Sequence, residues 1–431
     1  MPSELSPTDA AALVRPTDSI GVPLGPGQPI GFLRALGDRT DWVALDLLCA
    51  MLVDLYELPN RSGVRTISTF FGPAERIYRD QGAAIEFVPA DYRRWAPLLA
   101  ARAPRVMCTM AAPPDADGWL SLSCYAGSTV AELHRAGADP DRLLVVEASP
   151  AFPRTSGLLP DHPHRLHLDE IDVLIHSDIA PVELPEPAVS ATQVAIAEHA
   201  AGFIREGSTI QTGFGSIPSM VATTLAEGPH GDFGVHSEMF TTGLMRLHQH
   251  GKVTNRHKGI FEGRSICTFA AGTSELYEWL DDRAEVAFVP VEVVNDPVTI
   301  AANRNMVTVN GATAVDLYGQ VSADTIGGLQ WSGIGGHEDF VSGGGLQSDD
   351  RALVCLPSTA SVDGTLISRI TASLGSDAIV TTPRHQTDVV VTEFGAAELR
   401  GLTVRGRAHA LAGIAHPDFR DELLAAVEKL G

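Results

Sequence analysis

Short apolar runs rich in valine and isoleucine alternate along this chain with segments whose apolar residues recur at helical spacing. RLLVVEA at 142–148, DVLIHS at 172–177, RALVCLP at 351–357 and TDVVVTEF at 387–394 read as buried strands. Between such runs lie pieces like 191–205, where Ile196, Ala200, Phe203 and Ile204 share one helix face. Apolar strands alternating with helices predict an α/β protein with mainly parallel, buried sheets.

The pattern breaks at 178–187, DIAPVELPEP, which carries three prolines and no period. That segment divides the chain into expected domains 1–187 and 188–431. On either side of it one order of segments recurs. Helix-like 8–14 leads to DSIGVP (18–23), LGPGQP (24–29) and IGFLRAL (30–36). Helix-like 191–205 leads to STIQT (208–212), GFGSIP (213–218) and SMVATTL (219–225). Both read helix, strand, glycine-rich turn closing on proline, helix, with Pro29 and Pro218 in the equivalent place. The expectation is an internally duplicated protein.

Length and charge narrow what such a protein does. The 431 residues suit two domains, each with its own core. With 31 Lys+Arg against 53 Asp+Glu the formal charge is −22, which excludes nonspecific nucleic-acid or anionic-membrane binding as the main role. The 44% apolar content excludes general disorder. Five scattered cysteines without CxxC spacing argue against a disulfide framework or a zinc site and fit a reducing compartment. The start, MPSELSPTDAAALV, lacks a basic region and an apolar core. The greasiest stretch, 43–56, is broken by Asp46 and Asp54 and is short for a bilayer. A soluble cytoplasmic protein is expected.

Three segments invite chemistry. GFGSIP sits where a strand hands over to a helix; its glycines permit close backbone approach, and free N–H groups there favour a phosphate or an oxyanion. It matches neither a P-loop nor GxGxxG, so a plain tight turn remains open. GVHSEMFTTG (234–243) places Glu238 among apolar neighbours near a strand end, where a partly desolvated carboxylate can act as nucleophile. An ordinary hydrogen-bonded glutamate fits the same spacing. GGLQWSGIGGHEDFVSGGG (327–345) holds eight glycines in nineteen residues, a density that favours a binding loop, with Trp331, Ile334 and Phe340 expected to be buried. The nearby His248, His250 and His257 read as a solvated basic edge and Cys355 as core; HExxH and GxSxG motifs are absent.

In register, these and other segments resemble the acetyl-CoA hydrolase/transferase family, the class I CoA-transferases. QTGFGSIP (211–218), HSEMF (236–240), KVTN (252–255), VEVVNDPVTIA (291–301) and VDLYGQVSADTIGG (315–328) carry the likeness. SGIGGHEDF (332–340), LPSTA (356–360), SRI (368–370), VVTEFGAAELRG (390–401) and IAHPDFR (414–420) extend it, and DADGWLSLS (115–123) and VEASPAFPRTSG (146–157) bring in the first half.

The resemblance implies two similar open α/β domains with the active site in the interdomain cleft. It makes Glu238 the nucleophile and gives Glu393 a part in shaping the site. Oxyanion donors are then the backbone N–H groups at 213–217 and Gly335, and the Asn295 amide. CoA contacts map to Gly213, Phe214, Gly215, Ser216, Ile217, Asn310, Gly311, Gly335 and Arg351.

The implied activity is transfer of CoA from an acyl-CoA to a short carboxylate such as acetate. Acyl-CoA is a substrate here, with no tightly bound cofactor, no metal, no nucleic-acid or membrane partner, and a homo-oligomer (dimer or tetramer) expected. An acyl-CoA hydrolase and a non-catalytic acyl-CoA-binding protein are the alternatives. His337 stands where many relatives carry Gln, Ser342 where they carry Arg, and Arg351 where Lys is common. Because CoA is itself polyanionic, the acidic chain must hold its phosphates locally, at glycine turns and a few arginines.

Overall fold

The computed structural model describes residues 1–186, 188–213 and 215–430. Two compact units emerge, Met1–Leu184 with Ile266–Val294 and Pro185–Ser265 with Asn295–Gly431. Residues 266–294 thus cluster with the first unit, although the pattern of the chain shows no break on either side of them.

The first unit is built on an eight-stranded sheet. Its strands run in the order Ser3–Glu4, Val173–His176, Leu143–Ala148, Val106–Ala111, Ser19–Gly21, Leu45–Cys49, Val64–Ser68 and Ile85–Phe87. Every pairing is parallel. Val106–Ala111 is buried at all six positions, which explains its unbroken apolar pattern: a central strand covered on both faces has no solvent side to alternate toward. Phe32, Leu36, Tyr78, Cys108 and Val145 pack into its main core.

The second unit holds a six-stranded sheet ordered Gly234–Val235, Thr209–Thr212, Met306–Gly311, Arg351–Cys355, Val389–Thr392 and Gly395–Glu398. The first five strands are parallel and the last is antiparallel. Val354, Leu356, Val390, Leu411 and Leu423 form a core on one face. Burying each such side chain stabilises by ~1.5–3 kcal/mol.

The four strand-like runs become Leu143–Ala148, Val173–His176, Arg351–Cys355 and Val389–Thr392. The helix expected over 191–205 spans Ala191–Ala201, capped at its start by Ser190 and Gln193 and ended by Gly202. The recurring order is present in both units: helix Pro7–Ala12, strand Ser19–Gly21, a 3-10 turn Gly25–Gly27 and helix Ile30–Asp38, then helix Ala191–Ala201, strand Thr209–Thr212, turn and helix Ser216–Glu227. The two prolines are offset, however. Pro29 is the N-cap of its helix, whereas Pro218 is the third residue of its own. All five cysteines are buried thiols, Cys355 among them. Among the described residues no helix is long and apolar enough to cross a membrane.

Candidate active site

Parallel strands deliver their loops to one edge of a sheet, and in open α/β folds ligands bind at that carboxyl edge. In the second unit Gly213, Glu238, Asn310, Gly311 and Glu393 all lie at or just past the carboxyl ends of strands. The edge strand Gly234–Val235 sets the place of Glu238. Asn255, in KVTN, accepts from Val235 N at 2.8 Å, and the buried Lys258 ammonium donates to Val235 O at 2.7 Å. His236 N then reaches Ile210 O at 3.1 Å, and Ser237 Oγ lies 3.2 Å from Thr212 O and 2.8 Å from Met239 O. The chain is fixed on both sides of Glu238.

The carboxylate itself is tied to Asn295. The Asn295 amide donates to Glu238 Oε2 at 2.6 Å and to Asp339 Oδ2 at 3.1 Å, so one NH2 group bridges two acids. Asn295 is fully buried, and its Oδ1 has no hydrogen-bond partner among the described residues. Burial pushes the Glu238 acid up to about 8; the Asn295 hydrogen bond opposes this and the Asp339 charge adds to it.

Gly336 closes the arrangement. A Cβ there would sit 2.2 Å from Glu238 Oε2 and 2.6 Å from Asn295 Nδ2, so a side chain at this position collides with the carboxylate. The preceding Gly335 has φ +56°, a turn that favours glycine, and Gly336 caps helix His337–Gly343, which carries Asp339.

The glycine turn lies next door, since Ser237 bonds the carbonyl of the residue before Gly213. Gly215 has φ +126° and caps Ser216–Glu227, a helix of 12 residues whose first turn holds Ser216 and Ile217. Gln193 donates to Ser216 Oγ at 2.5 Å. Phe214 lies outside the described residues. Asn310, next to last in strand Met306–Gly311, has a buried Nδ2 with no hydrogen-bond partner among the described residues, and a Cβ on the neighbouring Gly311 would meet none of their atoms within 4 Å.

Two expected residues stand apart from this arrangement. Glu393 accepts from Ser358 N at 2.9 Å and Ser358 Oγ at 2.6 Å, so its carboxylate organises the LPSTA turn. Arg351 opens its strand, opposite Val307, and therefore sits at the amino edge of the sheet. There it pairs with Asp388 at 3.4 Å and Glu398 at 3.3 Å. It lines a cavity of about 710 Å³ with Phe203, Arg205 and Val307 on that side.

Trp331 departs from expectation: it is 47% exposed, while Phe340 is 1% exposed. Its N–H bonds Asp324 O at 2.9 Å, which seats it beside the small hairpin of Thr325–Ile326 and Leu329–Gln330 rather than in the core. Gly336 and Asp339 join Glu238 and Asn295 in the candidate site, and no motif in the sequence marks them. The one local signal is the acidic pair Glu338-Asp339, separated from Gly335-Gly336 by His337.

A half-enclosed carboxylate just past a strand end, beside a glycine turn that opens a helix, makes a candidate group-transfer site in a two-unit α/β protein. Comparison with known proteins agrees. Residues 272–427 match the acetyl-CoA hydrolase/transferase C-terminal domain. The succinyl-CoA:cyclohexane-1-carboxylate CoA transferase of Geobacter metallireducens is 34% identical over 429 residues, 99% of this chain and 95% of that protein. The 4-hydroxybutyrate coenzyme A transferase of Clostridium kluyveri is 33% identical over 409 residues, 94% of this chain and 92% of that protein. The crystal structure of RipA from Yersinia pestis superposes with a TM-score of 0.90 at 31% identity, covering 99% of this chain and 97% of that one. The chain belongs to the acetyl-CoA hydrolase/transferase family and is an enzyme of the CoA-transferase class.

Proposed function

We propose that this enzyme moves CoA from an acyl-CoA to a short-chain carboxylate such as acetate, with Glu238 as covalent carrier. The observation that carries the reading is the Glu238 carboxylate, held by Asn295 at 2.6 Å and confined by Gly336. A Glu238 oxygen attacks the thioester carbonyl and CoA leaves as thiolate, giving an acyl-glutamyl anhydride. The thiolate then attacks the glutamyl carbonyl; the C–O bond breaks, leaving a glutamyl-CoA thioester and the free carboxylate of the first acid. An incoming carboxylate attacks that thioester and expels thiolate, forming a second anhydride. Attack of the thiolate on its acyl carbonyl yields the new acyl-CoA and restores Glu238.

Each addition builds an oxyanion, and backbone N–H groups at Gly213, Gly215 and Gly335 supply donors in this reading. The start of helix Ser216–Glu227 suits a CoA phosphate. Arg351, ion-paired at the amino edge, is left out of the CoA site.

The test is to incubate the enzyme with acetyl-CoA, with and without a second carboxylate, then trap with borohydride or hydroxylamine and map the label. Modification at Glu238, with new acyl-CoA only when acceptor is present, supports the reading. Release of free CoA without acceptor marks a hydrolase, and turnover by Glu238→Ala removes the nucleophile assignment.

A further inference from the structure

Thr382 is fully buried on a segment that pairs with Val321 in both directions, Thr382 N to Val321 O at 3.1 Å and Val321 N to Thr382 O at 3.0 Å. Its hydroxyl is thus mounted on fixed backbone, and it meets two side chains of the turn that carries Gly336. It donates to Glu338 Oε1, and its oxygen lies 2.8 Å from His337 Nε2. A hydroxyl has one proton. With that proton on the carboxylate side, the Thr382 oxygen accepts from His337, which fixes the ring proton on Nε2. Burial pushes the His337 pKa down to about 4, against the pull of Asp324, so the ring is neutral near pH 7 as this tautomer requires.

His337 and Glu338 are the first two residues of helix His337–Gly343. The residue before them is Gly336, packed on Glu238, and the residue after them is Asp339, 3.1 Å from Asn295 Nδ2. Fastening the pair to Thr382 therefore fixes both groups that confine the nucleophile. Resting on the reading of Glu238 as covalent carrier, we propose that His337, acting through Thr382, is a positioning residue that holds the turn of Gly336 and Asp339 in the register that aims Glu238. Glutamine, expected here in relatives, places an N–H the same four bonds from Cα and can make the same bond to Thr382.

The test compares His337→Leu and Thr382→Val with His337→Gln and Thr382→Ser, each checked by circular dichroism and assayed with acetyl-CoA and a carboxylate acceptor. Misaiming the carboxylate is expected to lower kcat about 10- to 100-fold in the Leu and Val variants, with KM for acyl-CoA within about 2-fold. Gln and Ser, which keep the hydrogen bond, should retain kcat within about 3-fold of the parent. Folded Leu and Val variants with parental kcat would overturn the proposal. So would a Gln variant as impaired as Leu, a comparison that stands even where Val fails to fold. Glu238→Ala is run beside them: activity there sinks the covalent reading itself, and is distinguishable because the clamp variants report only on rate relative to their own conservative partners.

Discussion

Gly336 leaves room for nothing but hydrogen beside Glu238: a Cβ at that position would stand 2.2 Å from the carboxylate oxygen Oε2. Its backbone angles, φ −88° and ψ 7°, are open to any residue, so glycine is required here for space and not for conformation.

Gly336→Ala should therefore fold normally and lose activity. The methyl group displaces Glu238 or Asn295 by about an ångström, and kcat is expected to fall roughly 100-fold. Thermal melting within about 2 °C of the parent, together with weak borohydride labelling at Glu238, would separate displacement from unfolding.

Activity of the free enzyme should climb with pH. Below about 8 the Glu238 acid is mostly protonated, and only the carboxylate attacks a thioester. A plot of log kcat/KM against pH is expected to rise with a slope of about one and level near that value. Because the Asp339 charge raises the Glu238 pKa and the Asn295 hydrogen bond lowers it, Asp339→Asn should move the midpoint down and Asn295→Ala should move it up. Midpoints that stay put in both variants would remove these causes.

The same shift predicts a stability signature. Glu238 titrates near 8 when folded against 4.5 for an unperturbed glutamate, so between those values the native state binds more protons than the unfolded chain. That contribution is complete below about 4.5 and is lost as pH rises through 8. Glu238→Gln lacks the titration. Its melting temperature should exceed that of the parent by a few degrees, roughly 3 °C, at pH 8.5 and by less at pH 5. Calorimetry at the two pH values gives the comparison.

Arg351→Ala should leave KM for acyl-CoA within about 2-fold. The side chain sits at the amino edge of the sheet, and Asp388 keeps Arg400 at 3.0 Å and Ala352 N at 3.1 Å without it. Loss of a partly exposed ion pair costs about 1 kcal/mol of stability. A tenfold rise in KM would instead assign Arg351 to the CoA site.

The contrast between Arg351 and Glu238 shows what a chain can and cannot disclose. Apolar runs located the strands because a covered sheet admits only apolar residues, and Glu238 and Gly213 stand out as candidates because they follow strand ends in distinctive segments. Arg351 belongs to an equally distinctive segment, yet it precedes its apolar run, which in a parallel sheet means the opposite edge. Gly336 and Asp339 were hidden for another reason. Their role rests on Asn295, 44 residues before Asp339 and 57 after Glu238, and no local period reports a contact across such distances. The exposed Trp331 was misjudged because an aromatic residue in a glycine loop has no fixed side to face. The return of 266–294 to the first unit left no trace because its strands and helices look like those around them.

The Asn295 amide rests on Oε2, which leaves Oε1 as the oxygen that carries no such bond to it. On the covalent route, attack through Oε1 turns Oε2 into the carbonyl oxygen of the glutamyl group. When thiolate adds to that carbonyl, negative charge grows on the atom Asn295 already touches. On that route the acid brings its own half of the oxyanion hole: the contact that aims it in the first step becomes, without any movement, the contact that stabilises the second.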